Sequence, residues 1–177
     1  MTAKTLIRPD SSEYAPFYQG YVARVPDGDI VGILERQLHS TMALLGGLTE
    51  AQGEHRYAPG KWSIKEVVGH VADAERIFCY RALRFARGDA TPLAPFDENL
   101  YVPEAGCGAR TLRGLAEEFR AVRLATLALV RSLTDATAVR TGTASGKTIS
   151  VRALVYISAG HELHHLAIVT ERYLGHA

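Results

Sequence analysis

Seven histidines are present, and the spacing of two of them suggests chemistry. In an α-helix each residue turns by about 100°, so His161 and His165 lie only about 40° apart on one face. Leu154, Ile157 and Ile168 share that face, which places both imidazoles inside an apolar stripe. Burying two unpaired polar rings costs a few kcal/mol unless something satisfies them. A hydrogen bond from each ring to a carboxylate or carbonyl would do so, and so would a divalent cation between the two rings. His70 sits beside Val67, Ala74 and Ile77, flanking a second apolar stripe from which a neighbouring helix could bring it to the same ion. Three neutral imidazoles leave a coordination position open, the arrangement of a catalytic rather than a structural metal site. Such an ion lowers the pKa of bound water or holds a thiolate. His39, His55 and His176 have no partner at a useful spacing and are expected at the surface or satisfied locally.

Two motifs invite other assignments. His161-Glu162-Leu163-His164-His165 satisfies the H-E-x-x-H pattern of zinc proteases. Those enzymes usually take a third ligand from further downstream, but only 12 residues follow His165. Ile168 and Glu171 occupy the positions where the extended protease motif has glycine and histidine. Glu162 and His164 flank the histidine pair at about 80° on either side. They are candidates for support or proton transfer beside the ion, with solvated helix positions as the plainer alternative. The run from Gly142 through Gly146, Lys147 and Thr148 has three residues between its glycines where a phosphate-binding loop has four, and is expected to be a flexible loop.

Four long segments with helical periodicity must position these groups. The first runs from about Asp29 to Leu48, with Asp29 as its cap and apolar residues from Ile30 to Leu48 at three- and four-residue spacings. The second opens with a capping box, Ser63 to Glu66, with Trp62 as a staple onto Val67, and continues to Phe85 before Gly88 stops it. Trp62 is therefore expected to cap and pack. The third follows Thr111 through Leu112, Phe119 and Leu133, and the fourth runs from Ser150 to about Leu174. No strand competes, although short extended pieces near Arg56-Tyr57 and Thr148-Ile149 are allowed. Residues 89 to 110 form a long connection with three prolines, which makes the expected architecture an all-α four-helix bundle with a long crossover loop.

Composition narrows the function classes. The chain has 177 residues, 47% of them hydrophobic, a length and mix suited to a single domain over 1–177 with residues 1–28 as an N-terminal extension packed on it. A net charge of +1 without basic clusters argues against nucleic-acid binding. No apolar stretch approaches a membrane span or a signal peptide, so a cytoplasmic location is expected. Cys79 and Cys107 are too few for a disulfide scaffold. Cys79 is expected to be a buried small hydrophobe, whereas Cys107, between two glycines, could be an exposed thiol and is assigned no role.

The stretch from Pro59 to Glu66, followed by Gly69-His70-Val71-Ala72-Asp73-Ala74-Glu75-Arg76, resembles the DinB-like (YfiT-like) superfamily associated with metal-dependent hydrolysis. Gly160-His161-Glu162-Leu163-His164-His165-Leu166 resembles its C-terminal motif, and Tyr80 to Asp89 is similar in character. The resemblance implies a four-helix bundle, often homodimeric, with His70, His161 and His165 as ligands of one divalent ion, zinc or nickel foremost. It also implies a small-molecule substrate, because some relatives are S-transferases or isomerases that use low-molecular-weight thiols. Hydrolysis or thiol transfer at a three-histidine metal site is the expected activity, with Asp97, Glu98 and Tyr101 in the long loop as candidate substrate contacts. The alternative is a stress-related binding module that does no chemistry and whose metal site is structural or vestigial. A nucleic-acid binder ranks last.

Overall fold

The computed structural model describes residues 6–175, so His176 lies outside the described residues. The helices are α1 (Gln19–Arg24), α2 (Ile30–Gly46), α3 (Glu50–Glu54), α4 (Ile64–Ala86), α5 (Glu98–Glu104), α6 (Leu112–Ser132) and α7 (Asp135–Ala138). A hairpin of β1 (Thr141–Ala144) and β2 (Lys147–Ser150) leads into α8 (Val151–Ile168), which ends in a wider π turn over Val169–Tyr173. The long helices α2, α4, α6 and α8 form the bundle. In it α4 lies between α6 and α8, and α2 packs on α6.

The four caps expected from sequence are in place. Asp29 accepts from the amides of Val31 and Gly32, Thr111 from Gly114, and Ser150 from Ala153. Ser63 and Glu66 bond reciprocally, at 3.2 Å and 2.7 Å. Each cap satisfies amides that a helix start otherwise leaves bare. Trp62 packs on the apolar cluster that contains Val67.

The bundle interior is two apolar clusters rather than one. Ile64, Val68, Leu115 and Phe119 belong to one; Leu34, Phe78, Phe85, Leu127, Leu154 and Ile157 belong to the other. Between them lies a belt of buried polar side chains, Gln37 and Thr41 on α2, Glu75 on α4, Arg123 and Thr126 on α6 and Glu162 on α8.

Three expectations are corrected here. The Gly142–Thr148 run is no flexible loop but a two-residue hairpin, with Ala144 paired to Lys147. Ser145 and Gly146 take φ of 52° and 72°, the left-handed pair that matches the twist of the flanking strands. Gly142 is required there, because a Cβ would lie 2.1 Å from the Phe85 ring that the hairpin covers. The long connection is also not structureless. Leu93 exchanges backbone hydrogen bonds with Thr143 and Ser145, and α5 and a 3-10 turn (Cys107–Ala109) follow. Cys107, finally, is only 2% exposed, since its Sγ fills the space left by the missing side chain of Gly69 on α4. Burial pushes its thiol pKa up, the reverse of what a reactive cysteine needs.

The N-terminal segment is folded onto the bundle. Arg8 donates to the carbonyls of Val22 and Val25, and Glu13 pairs with Arg152 of α8. Helix α1 lies directly on α8 at Gly160, where a Cβ would stand 1.9 Å from the Tyr21 carbonyl oxygen.

Candidate metal centre

His70 of α4 and His161 and His165 of α8 converge. The Nε2 of His161 lies 3.0 Å from that of His70 and 3.1 Å from that of His165. The three imidazoles each offer a nitrogen within 4.8 Å of the others. A neutral imidazole nitrogen carries either one proton or one lone pair, so one His161 nitrogen cannot satisfy two neighbouring nitrogens with full hydrogen bonds. A cation accepting all three lone pairs removes that conflict, and the donor set is one that zinc and nickel favour. The residues therefore fit a metal ion.

Their protonation state agrees. Burial holds the His161 pKa well below the ordinary value, and the neighbouring imidazoles of His165, His70 and His164 act in the same direction. Burial, helped by His70 and His164, takes His165 down to about 3. His70 is also lowered by burial, with Glu98 and Asp73 working the other way. At neutral pH all three rings are uncharged and can present lone pairs.

Aromatic side chains hold the rings in place. Trp62 lies 4.9 Å from His70, centroid to centroid, and the Phe78 ring meets His161 edge-on at 5.7 Å. Tyr21 meets both His161 and His164 at 5.4 Å, a position that depends on Gly160 letting α1 approach. Trp62 thus does more than cap and pack, because its ring forms part of the site.

Of the two residues flanking the pair, Glu162 is not solvated. It is fully buried, accepting from Thr41 Oγ1 at 2.5 Å and Arg123 Nη2 at 2.7 Å. Arg123 also donates to both oxygens of Glu75, at 2.8 Å and 2.7 Å, and Thr126 Oγ1 donates to Glu75 at 2.6 Å. Although burial alone would lower it, Glu75 and Glu162 hold the Arg123 pKa up, so the guanidinium stays charged. The acid of the H-E-x-x-H pattern is thereby committed to the bundle interior, which removes the general base that a protease of that pattern requires. His164 is half-buried against Tyr21 and His165, outside the three-nitrogen cluster.

Sequence reasoning missed Arg123 and Glu75. A signal existed: they follow Phe119 and Val71 by four residues, so each falls on a buried stripe where a charge requires a partner.

Two cavities open on the histidines. One of about 420 Å³ is walled by Phe17, Tyr18, Tyr21, Trp62, Phe78 and Phe96, with Glu98 and Ser145 as its polar groups and His70, His161 and His165 on its surface. A smaller one of about 270 Å³, lined by Tyr57, Lys61, Asn99 and Tyr173, shares Trp62 and His165 with it. Of the three loop residues expected to meet substrate, only Glu98 lines a cavity at the histidines. Asp97 caps α5 by accepting from the Asn99 amide, and Tyr101 packs on Phe96 at 5.7 Å. His39 and His55 are exposed, as expected. Cys79 is partly buried, 3.1 Å from Thr126 Oγ1, and desolvation pushes its thiol up to about 12.

Comparison with known proteins agrees with this fold. A protein of Bacillus pumilus (strain SAFR-032) named "Putative metal-dependent hydrolase" is 27% identical over 132 residues, spanning 73% of this chain and 74% of its own. The structure of YfiT from Bacillus subtilis, described as "a probable metal-dependent hydrolase with an unusual four-helix bundle topology", superposes with a TM-score of 0.71 at 19% identity over 97% of this chain and 95% of that one. A mycothiol-dependent maleylpyruvate isomerase shares the fold at a TM-score of 0.65 and 15% identity, over 82% of this chain and 61% of its own. The model of the DinB superfamily matches residues 33–169, from α2 through the last turn of α8, and the chain belongs to that superfamily.

Proposed function

We propose that His70, His161 and His165 bind one divalent cation, zinc or nickel, and that the protein is an enzyme acting on a small molecule by metal-assisted hydrolysis or low-molecular-weight-thiol transfer. One observation carries this reading: three uncharged imidazoles, two buried and one partly buried, turn their nitrogens toward one point on the surface of an open, aromatic-walled cavity. Bound there, the ion would supply Lewis-acid activation of a nucleophile at neutral pH, water in hydrolysis or a thiol in transfer.

The chain's own residues do the rest. Trp62, Phe78 and Tyr21 pack on His70 and His161, which orients those imidazoles toward the cavity. The buried belt behind α8 holds Glu162, and with it the backbone beside His161, in one position. Glu98, Ser145 and the phenol-bearing Tyr18 and Tyr21 are the polar groups that line the larger cavity beside the histidines. The names of the Bacillus relatives support metal dependence, and the mycothiol-dependent isomerase supports the thiol version. In this reading residues 1–177 act as one cytoplasmic domain, as a homodimer and without a nucleic-acid partner. The net charge of +1 supports the last point, and among the described residues no helix is long and apolar enough to cross a membrane.

Elemental analysis of the purified protein beside His70→Ala tests the site, with both forms assayed on hydrolase substrates and on thiol–acceptor pairs. Near-stoichiometric zinc or nickel is expected in the parent and little in the variant, with activity following the metal. Metal retained in full by His70→Ala would refute the three-histidine site. Turnover indifferent to metal would refute the mechanism.

A further inference from the structure

The larger cavity has a chemical character that the histidines alone do not explain. Its wall rings are arranged mainly edge to face: Phe17 meets Tyr18 at 5.1 Å and Tyr21 at 6.1 Å, and Tyr18 meets Phe78 at 6.4 Å. Aromatic faces carry partial negative charge and attract cations, most strongly where water is excluded. Apart from the histidines and the tyrosine phenols, Glu98 is the one acidic or basic side chain among the described residues lining this cavity; no lysine or arginine lines it. The Glu98 carboxylate lines the same cavity as Tyr18, Tyr21 and His70. It stands outside the three-nitrogen cluster, so it is not placed as a fourth ligand. A buried cation, Arg81, packs over Phe96, but its guanidinium donates to the Ala94 carbonyl and to Ser145 Oγ and does not line the cavity.

At the end away from the imidazoles, aromatic walls with one carboxylate favour an organic cation, whereas an anion is favoured only beside an ion held by the histidines. We infer that the cavity receives the ammonium-bearing end of the substrate, with Glu98 as counter-ion and the rings of Phe17, Tyr18 and Tyr21 around the positive charge. This rests on the metal-site reading for the position of the reacting end, which lies at the imidazoles while the cation lies toward Glu98. The substrate class is then a small amine or quaternary ammonium compound that carries the hydrolysable or thiol-reactive group at its other end. A volume of about 420 Å³ suits a molecule of that size. Phe17, 75% exposed, stands at the cavity mouth, where a side chain can be changed with little effect on folding.

The single tryptophan, Trp62, lines the cavity and reports occupancy by fluorescence. The full chain is titrated with choline, with its neutral carbon isostere 3,3-dimethylbutanol and with the anion 3,3-dimethylbutanoate, in metal-free and zinc-loaded forms. Choline is expected to bind about tenfold more tightly than the isostere in both forms, with the anion weakest in the metal-free form, since in the zinc-loaded form a carboxylate can bind the ion itself. Glu98→Gln should bring the choline-to-isostere ratio close to one. Phe17→Leu, which keeps apolar bulk and removes a π face, should weaken choline by about threefold and leave the isostere unchanged. Equal binding of the isostere, preference of the metal-free form for the anion, no choline binding, or a ratio that survives Glu98→Gln would each overturn the inference. Loss of zinc binding with the choline preference intact would instead count against the metal reading alone.

Discussion

Replacing Arg123 by methionine removes the one cation of the buried belt while keeping roughly the same length of side chain. The native guanidinium makes three bonds to carboxylate oxygens of Glu75 and Glu162, and it also donates to the Leu34 carbonyl and to Gln37 Oε1, at 3.2 Å each. Arg123 and Glu162 are 0% exposed and their other partners are buried, so water cannot replace the lost donors. Removing one partner of a buried ion pair costs about 3–5 kcal/mol, because the remaining charge stays desolvated. In a protein of this size about 2–4 °C of melting temperature corresponds to each kcal/mol, which predicts a drop of about 6–20 °C at pH 7. The deficit must also depend on pH. Burial pushes the Glu162 carboxyl up, and Arg123 and Thr41 hold it back. Without Arg123 the folded protein therefore binds protons that the unfolded chain has released, so the variant's stability falls as pH rises and its deficit narrows as pH is lowered toward the carboxylate range. Urea melts of both proteins at pH 7 and pH 5 measure this. A deficit under about 1 kcal/mol at pH 7, or one that does not change with pH, would refute the account of the belt as a charge-compensated cluster.

Three further outcomes follow from the same geometry. Gly160→Ala places a methyl group against the Tyr21 carbonyl oxygen, so α1 must withdraw; a loss of about 1–3 kcal/mol in denaturant melts is expected, together with weaker metal binding. A wild-type melting curve for that variant would contradict the close approach. Metal-free protein should lose stability as pH falls below about 6.5, because the unfolded chain takes up protons at His70, His161 and His165 that the folded chain refuses, down to about 3 for His165. A urea midpoint that stays flat between pH 7 and pH 5 would count against those lowered values. Zinc at 100 times its dissociation constant should add about 2.7 kcal/mol, or about 5–11 °C, to the parent and almost nothing to His70→Ala, as read by calorimetry.

What the sequence made legible is what local chemistry determines. Asp29, Ser63, Thr111 and Ser150 are caps because their side chains bond amides two or three residues away, which no tertiary contact needs to arrange. His161 and His165 are legible as a pair because helical geometry alone puts them on one face. His70 was only permitted by spacing and needed the family resemblance, since its approach depends on how α4 lies against α8. The misses share a cause. Cys107 is buried because Gly69, nearly forty residues earlier, leaves room for its sulfur. The hairpin lacks apolar alternation, and it holds its place through Gly142 lying on Phe85 and Leu93 pairing at its edge. Trp62 looked complete as a staple because the imidazole beside it comes from the next turns of a helix whose inward face was set by other residues.

The polar belt and the metal centre share a structural origin. On each of the four long helices, the change from one apolar cluster to the other coincides with a polar residue: Gln37 and Thr41, Glu75, Arg123 and Thr126, and Glu162. His161 is the residue before Glu162, and His70 lies five positions before Glu75, so the imidazoles belong to the same interruption in apolar packing, seen from its open side. A bundle packed without that interruption would have no room for three imidazoles and no rigid support behind them. Apart from Phe78 of α4 and Trp62 just before it, the cavity walls come from elsewhere: Phe17 and Tyr18 from a 3-10 turn, Tyr21 from α1, Phe96 and Glu98 from the crossover and Ser145 from the hairpin. Interior and periphery therefore hold separate properties. Changes in the belt alter stability and the geometry of the imidazoles together, because the helices that carry them are packed against one another. Changes in the peripheral segments alter what the cavity accepts, because their rings and carboxylate face the ligand while the bundle beneath keeps its own hydrogen bonds and packing.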